Sequence, residues 1–416
     1  MNRRVLGMIM AGGKGERLYP LTKDRTKAAV PFGGKYRLID FVLSNFLNSG
    51  IYAIYVLTQF KAQSLIEHIQ NGWQLGQVVR EHFIVTVPAQ MRVGDSWYRG
   101  TADAIYQNLN LIEQFNPDVV AVFGADHIYR MDIRQMVNFH VEKNADVTVA
   151  AVSVPIETTG RLGVIEVDKD GLIIGFQEKP KKAYPIPGRP TEALASIGNY
   201  LFNTEVLISE LKENALRKET RHDFGKDVIP LIYPKRRVFV YDFKENKIPG
   251  EENVKEPGYW RDIGTIDSYY QANMDLRAIT PSFNLYNPRW PIKTTGYTEL
   301  PPAKFVFDEH GRRGEALNSI VCEGTIISGG EVKDSVVGRN VFIHSYSEID
   351  QSIIMDNVEV GRHARIKRTI IDKNVKVPEG AAIGYNLEED RSKYYVSPGG
   401  IVVIPRTEPE FRGHNT

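Results

Sequence analysis

The chain has 416 residues, one cysteine, and 52 Lys+Arg against 51 Asp+Glu, for a net charge of +1. That length argues for two or three domains, and 42% hydrophobic with 25% charged residues is the composition of a globular protein with a sizeable core, not of a disordered chain. Cys322 alone makes no internal disulfide and no cysteine metal cluster, and near-neutrality gives no argument for nucleic acid or a membrane as partner.

Arg3 and Arg4 precede the apolar run Val5–Ala11, which superficially imitates a secretory leader. The run sits at the bottom of the ~7–15 residues such a leader needs and leads straight into Gly12-Gly13, so it reads as a buried first strand. No stretch approaches the ~18 apolar residues of a membrane helix, and the expectation is a soluble, cytoplasmic protein. Further strands are expected at Ile51–Thr58, Phe83–Val87, Val119–Gly124 and Asp146–Val154, several nearly all apolar as two-face-buried parallel strands are. Asp40–Ser49 reads as a helix stopped by Gly50, and Thr101–Phe115 as another with Thr101 as candidate N-cap. This alternation predicts a wound α/β sheet. Gly163–Gln177 reads as a strand pair turning at Asp170-Gly171.

Five prolines and Gly311-Arg312-Arg313-Gly314 mark 281–317 as a linker wrapping over a first domain at 1–280. Beyond it, at 318–416, the chain repeats. Val337, Ile343 and Ile349 return as Ile354, Val360 and Ile366, then as Ile371, Val377 and Ile383, with equivalent members 17 apart. Asn340-Val341 recurs at the same step as Asn357-Val358 and Asn374-Val375. One inward aliphatic per hexad and three short strands per coil is the pattern of a parallel β-helix, whose open ends invite a partner subunit.

The chemistry is concentrated early. Gly12-Gly13-Lys14-Gly15-Glu16-Arg17 follows the first strand, where glycines let backbone N–H groups close on phosphate and Lys14 and Arg17 add positive charge. It is neither the dinucleotide fingerprint nor a Walker loop, and a tight turn with solvated charges stays open beside it. Residues 1–40 hold nine Lys/Arg against three acids, a net of +6, so the other 376 residues carry −5. The overall neutrality averages a cationic segment and an acidic remainder; the partner it predicts is a small polyanion. Asp126 lies just past the strand Val119–Gly124, where open α/β sheets bind ligands, and Asp262 in Trp260-Arg261-Asp262 is a second carboxylate. Two such groups suit Mg²⁺ against phosphate oxygens, although a cap or turn role remains open for each alone. Glu178-Lys179-Pro180 ends a strand with an acid and a base, read either as a surface ion pair or as a phosphate contact through Lys179. His127 reads as structural, His344 and His363 as turn residues, and no histidine spacing suggests a metal site.

Met10-Ala11-Gly12-Gly13-Lys14-Gly15-Glu16-Arg17-Leu18, Phe32-Gly33-Gly34-Lys35, Ile39-Asp40-Phe41, Trp97-Tyr98-Arg99-Gly100-Thr101-Ala102-Asp103-Ala104, Gly124-Ala125-Asp126-His127-Ile128-Tyr129, Glu178-Lys179-Pro180, Asp223-Phe224-Gly225-Lys226-Asp227 and Trp260-Arg261-Asp262-Ile263-Gly264-Thr265 occur in this order. Together they resemble the bacterial ADP-glucose pyrophosphorylases (glucose-1-phosphate adenylyltransferases) over about residues 5–400. The resemblance implies an α/β, Rossmann-like nucleotidyltransferase domain followed by a C-terminal left-handed parallel β-helix, a homotetramer, and ADP-glucose synthesis from ATP and glucose 1-phosphate for glycogen. It implies that Gly12, Gly13, Gly15 and Arg17 hold the ATP phosphates with Lys27 assisting, and that Gln90 and Gly100 lie near the adenine. Tyr98, Gly163, Glu178, Lys179 and Ser196 would bind glucose 1-phosphate, and Asp126 and Asp262 would hold Mg²⁺. Arg17, Lys27 and Asp126 would carry catalysis. Arg25 and Arg37 match positions for small phosphorylated effectors, whereas Asp24 stands where many relatives carry a lysine, and Ala28 and Pro31 also depart from the commonest pattern.

Three other functions compete with this one. A non-catalytic regulatory paralogue tends to lose the metal aspartate or the loop arginine, and Arg17, Lys27, Asp126, Lys179 and Asp262 are all kept here. An acyltransferase centred on the β-helix usually needs a longer helix with an extruded catalytic loop. A uridylyl- or guanylyltransferase is separated only by the resemblance.

Overall fold

Six-residue runs of aliphatic side chains without a polar break must be covered on both faces, and a central parallel sheet is the arrangement that does this. The computed structural model describes residues 3–406 apart from 77–80, 179, 181, 253–257, 297–298 and 309–310. It divides into two units, the first of Met1–Gly13, Ile39–Trp260 and Tyr286–Lys293, the second of Lys14–Leu38, Arg261–Leu285 and Thr294–Thr416.

The first unit is built on a nine-stranded sheet. Its strands are β1 (Val5–Met10), β2 (Ala53–Thr58), β3 (Phe83–Pro88), β4 (Val119–Gly124), β5 (Val147–Pro155), β6 (Gly163–Val167), β7 (Ile173–Glu178), β8 (Glu192–Asn203) and β9 (Val238–Asp242). The order is β7-β6-β8-β4-β1-β2-β3, with β5 paired to β8 and β9 to β5. β3, β2, β1 and β4 run parallel, and the long β8 runs antiparallel to β4, β5 and β6. Every side chain of β4 from Val119 to Phe123 is buried. Met10 faces Gly124 across the β1–β4 pair, so the two strands reach their carboxyl ends side by side.

The helix Leu38–Asn48 begins two residues before the expected Asp40 start. The single helix expected over Thr101–Phe115 is two, Thr101–Tyr106 and Leu109–Phe115. Asn108 sits at the break, and its Nδ2 donates to Ala104 O at 2.8 Å, the side-chain competition with backbone that makes asparagine a poor interior residue. The N-cap is Gly100 and not Thr101, whose hydroxyl instead accepts the Phe224 N–H at 3.0 Å. Of the stretch expected as linker, Tyr286–Lys293 lies along the helix Leu38–Asn48, where Asn48 Nδ2 donates to Pro291 O and the Lys293 N–H to Ser44 Oγ.

In the second unit the 17-residue repeat forms three parallel sheets of two- and three-residue strands, the coils of a parallel β-helix. Ile343 pairs with Val360, Ile349 with Ile366 and Ile354 with Ile371, and these side chains form a dry central stack. The coiling begins inside the segment read as linker, since Lys304–Phe305 and Glu315–Leu317 already pair with the next turn. Asn340, Asn357 and Asn374 turn one corner with φ of 52°, 58° and 62°. Asparagine tolerates this left-handed region, and stacking adds a ladder: Asn340 Nδ2 donates to Asn357 Oδ1 at 2.9 Å, and Asn357 Nδ2 to Asn374 Oδ1 at 3.1 Å. The helix Ile266–Asp275, opened by a Thr265–Ser268 capping box, packs its Tyr269 edge-on to Phe32 and donates from Tyr270 Oη to Gln351 O. Among the described residues no helix is long and apolar enough to cross a membrane.

Ile366 is unexposed at the middle of the stack, so Ile366→Ala is expected to lower stability by about 2–5 kcal/mol, seen as a fall in the chemical unfolding midpoint. At the corner, Asn357→Ala should cost about 1 kcal/mol more than Asn357→Gly, because only the alanine strains a positive φ. Equal midpoints for those two variants would contradict the corner account.

Candidate active site

In the first unit the site starts where β1 and β4 end. The Ala11 N–H donates to Leu57 O at 2.9 Å, which carries the chain over the end of β2. A Cβ on Gly12 would stand 3.2 Å from Gln59 Cβ, so the glycine lets the turn lie against that side chain. Past β4, Asp126 carries a side chain 41% exposed, with His127 Nε2 3.4 Å from its Oδ1. Asn199 of β8 accepts the Gly124 N–H at 3.4 Å and fixes the end of β4 from the neighbouring strand.

Gln59 also clamps the loop that carries Tyr98. The Tyr98 N–H donates to Gln59 Oε1 at 2.7 Å and Gln59 Nε2 to Tyr98 O at 3.3 Å. The Tyr98 hydroxyl accepts from Asn108 Nδ2 at 2.8 Å; burial pushes the phenol's pKa up, with Asn108 opposing. Gly100 passes so close to the backbone of Arg221–His222 that a Cβ would meet the two carbonyl oxygens at 2.4 and 2.3 Å. Gln90 is exposed on the same loop, just past β3.

Gly163 and Glu178 face each other across the β6–β7 pair. A Cβ at Gly163 would stand 3.2 Å from Glu178 Oε2, and one at Gly225 would stand 3.8 Å from both Glu178 Oε2 and Tyr200 Oη. Ser196 marks the register shift in β8 and lies within side-chain reach of Tyr200. Gly163, Glu178 and Ser196, remote in sequence, therefore border the surroundings of Tyr200. Lys179 lies outside the described residues.

In the second unit Gly15 takes a φ of +65°, and a Cβ there would be 2.9 Å from Lys27 Cβ. Lys27 is 10% exposed at its side chain, with Nζ 3.8 Å from Asp262 Oδ1. The space beside Gly264 is bounded by Asp262 Oδ2 at 2.7 Å and Arg17 Nη2 at 3.3 Å from where a Cβ would stand. Arg17, Lys27 and Asp262 thus converge although 235 positions separate Lys27 from Asp262. Arg25 is buried, ion-paired to Asp372 and donating from Nε to Leu21 O at 2.9 Å. Arg37 is half-buried on the hairpin Pro31–Phe32/Tyr36–Arg37. Nearby in this unit Asp356 meets Lys373 at 2.9 Å and Arg339 at 3.2 Å. Burial alone would raise the Asp356 pKa, but these two cations outweigh it and hold it below the usual carboxylate range.

Reading the sequence missed Gln59, Asn108, Asp356 and Lys373. Only Gln59 had a usable signal, its place directly after a buried parallel strand.

A sequence model of the nucleotidyl transferase family matches residues 6–279, and one of the GlmU-like C-terminal hexapeptide family matches 301–404. A glucose-1-phosphate adenylyltransferase of Thermus thermophilus is 56% identical over 408 residues, 97% of this chain and 98% of the relative. One of Anaeromyxobacter sp. (strain Fw109-5) is 53% identical over 412 residues, 98% of this chain and all of the relative. Glucose-1-phosphate adenylyltransferase 1 of Vibrio parahaemolyticus is 51% identical over 402 residues, again 97% and 98%. Identity above one half, sustained from end to end of both sequences, makes this chain a member of the glucose-1-phosphate adenylyltransferase family of nucleotidyl transferases.

Proposed function

We propose that the chain transfers the adenylyl group of ATP to glucose 1-phosphate, giving ADP-glucose for glycogen (α-glucan) synthesis and releasing diphosphate. The observation that carries this reading is the Met10–Gly124 register, which sets a glycine turn and an aspartate at neighbouring strand ends.

In this reading a phosphate oxygen of glucose 1-phosphate attacks the α-phosphorus of ATP. A P–O bond forms there as the bond to the β-phosphate bridge breaks, and diphosphate leaves with the electron pair. The nucleophile's second pKa is near ~6, so it arrives ionised and no general base is needed. The obstacle is repulsion between two anions, so positioning and charge neutralisation do the catalytic work. Backbone N–H groups of Gly12, Gly13 and Gly15, with Arg17 and Lys27, hold the ATP phosphates, and Gln90 and Gly100 border the adenine. Tyr98, Gly163, Glu178 and Ser196 border the sugar, with Lys179 on its phosphate.

Among the described residues no three His, Cys, Asp or Glu side chains gather as a dedicated metal cage. Asp126 in the first unit and Asp262 in the second, with side chains 41% and 35% exposed, are each a hard oxygen donor of the kind Mg²⁺ takes. Bound there, Mg²⁺ would neutralise charge developing on the phosphate oxygens. The reading extends to a cytoplasmic homotetramer in which residues 1–280 carry transfer and the C-terminal coils, which begin at Lys304–Phe305, serve assembly. It also extends to small phosphorylated effectors at Arg25 and Arg37. Supporting the last is a local cation surplus in the second unit, where Arg25, Arg37, Arg339 and Lys373 face Asp356 and Asp372.

Asp126→Asn is expected to lower kcat by about 100-fold or more while thermal unfolding stays near wild type. Near-wild-type turnover in a steady-state assay removes Asp126 from the mechanism. In a nucleotide-by-sugar panel read by diphosphate release, ATP with glucose 1-phosphate should be fastest. UTP or GTP in first place would overturn the adenylyl assignment.

A further inference from the structure

We propose that Asp24, Arg25, Asp372 and Arg406, all in the second unit, form a two-pair ionic clamp that positions Arg17 and Lys27 for the ATP phosphates; this rests on the role proposed for those two cations. Asp24-Arg25 is an acid–base dipeptide, and each member meets its opposite charge on the β-helix. Arg25 Nη2 donates to Asp372 Oδ2, and Arg406 Nε donates to Asp24 Oδ2 at 3.2 Å. The partners lie 347 and 382 positions further along the chain, yet they leave the coils side by side. The strands Thr369–Ile371 and Val402–Ile404 run parallel with Ile371 opposite Ile404, and the Asp372 N–H donates to Ile404 O at 3.0 Å. Asp372 is the first residue past one strand, and Arg406 the second past its neighbour.

The clamped dipeptide is bonded on to both cations. From Lys14 to Val30 the chain is made of turns, with three-residue helical pieces at Glu16–Leu18 and Lys27–Ala29. The shape of such a segment is set by the individual bonds that tie it down, since no ladder of repeating backbone bonds does so. Arg25 reaches back with Nε to Leu21 O at 2.9 Å. The Leu21 N–H donates to Leu18 O at 2.9 Å and the Leu18 N–H to Gly15 O at 2.9 Å, which closes the turn that bears Arg17. Thr22 Oγ1 also donates to Gly15 O, at 3.0 Å. Lys27 follows Arg25 by two residues and lies so near Gly15 that a Cβ there would stand 2.9 Å from Lys27 Cβ. A shift of Asp24-Arg25 on the coils therefore moves Arg17 through this series of bonds and Lys27 through the chain itself.

Charge makes the attachment directional. Seating the dipeptide the other way round would set Arg25 against Arg406 and Asp24 against Asp372, so the pattern admits one placement of the segment. The two pairs differ in setting. Arg25 and Asp372 are both buried, where losing one partner leaves an uncompensated charge. Asp24 and Arg406 have side chains 19% and 33% exposed, so this outer pair adds little to stability and can be altered in a folded protein.

The test uses the full-length enzyme, without added phosphorylated effectors. The variants are Asp24→Ala, Arg406→Ala, the two together, Asp24→Arg, and the exchange Asp24→Arg with Arg406→Asp. Each is measured for kcat, KM for both substrates, thermal unfolding, and hydrogen exchange of residues 15–27. Each alanine substitution should lower kcat/KM for ATP about 2–5-fold, with KM for glucose 1-phosphate within about twofold and thermal unfolding near wild type. Exchange in residues 15–27 should quicken in both. Combining the two alanine substitutions should cost no more than either alone. Asp24→Arg, which sets a second guanidinium beside Arg406, should lose more, and the charge exchange should regain most of that loss. Unchanged kcat/KM for ATP in both alanine variants, additive losses on combining them, an exchange variant no better than Asp24→Arg, or activity that falls only in step with thermal unfolding would each overturn the proposal. Should Arg17→Ala and Lys27→Ala turn over normally, the reading of those two cations fails. If they are dead while Asp24→Arg is normal, only the clamp fails.

Discussion

The candidate site depends first on a register. β1 and β4 are adjacent and parallel, and Met10 stands opposite Gly124, so both chains leave the sheet at one level. One exit is a glycine turn that exposes backbone N–H groups, and the other is an aspartate. Parallel pairing makes this possible because the carboxyl ends of neighbouring strands share an edge, while helices return the chain at the far side. A slip of one residue would exchange the faces of β1 and bring a side chain to the place of Gly7, where even a Cβ would stand 2.8 Å from Phe46 Cε1. The core therefore sets the geometry of the chemistry, although no core residue takes part in it.

Charge is organised differently. Nine Lys/Arg against three acids in the first forty residues suggested one cationic field around a phosphate loop. The structure distributes them. Arg25 is buried and bound to Asp372, and Lys27 points its ammonium toward Asp262, so part of the apparent excess is consumed by aspartates that come much later in the chain. Arg17 remains on the exposed turn Glu16–Leu18. A sum over a sequence window counts charges without their partners, and it overstates the field wherever folding brings in acids from elsewhere.

Much of this fold was legible because its signals are local and repeated. A 17-residue period can only stack, and the asparagine in each period marks a corner whose left-handed backbone favours that residue. Val119–Gly124 was readable to the residue because nothing but burial on two faces explains such a run. The break at Asn108 was not readable, since a helix-spaced pattern continues through it and only the bond from its side chain to Ala104 O ends the first segment. The start of the coils was misplaced for a related reason. Lys304–Phe305 and Glu315–Leu317 are strands by virtue of what they pair with, and proline and glycine around them mask the repeat. Gln59 escaped notice because its two bonds to the Tyr98 backbone span 39 residues.

The glycines and the titratable groups point the same way about mechanism. Gly12, Gly100 and Gly163 are each needed for close approach, to Gln59, to the Arg221–His222 carbonyls and to the Phe176–Glu178 side chains, so the site is shaped by backbone contact more than by reactive side chains. The phenols with the largest upward pKa shifts, Tyr129, Tyr200 and Tyr269, are shifted chiefly by burial, which keeps them protonated and unsuited to accepting a proton. A reaction that had to create its nucleophile would need a group tuned toward neutrality within reach of substrate. Adenylyl transfer to a phosphate ester brings its nucleophile already charged, so the protein has to hold two anions in line and offset their repulsion, a task suited to fixed N–H groups and cationic side chains.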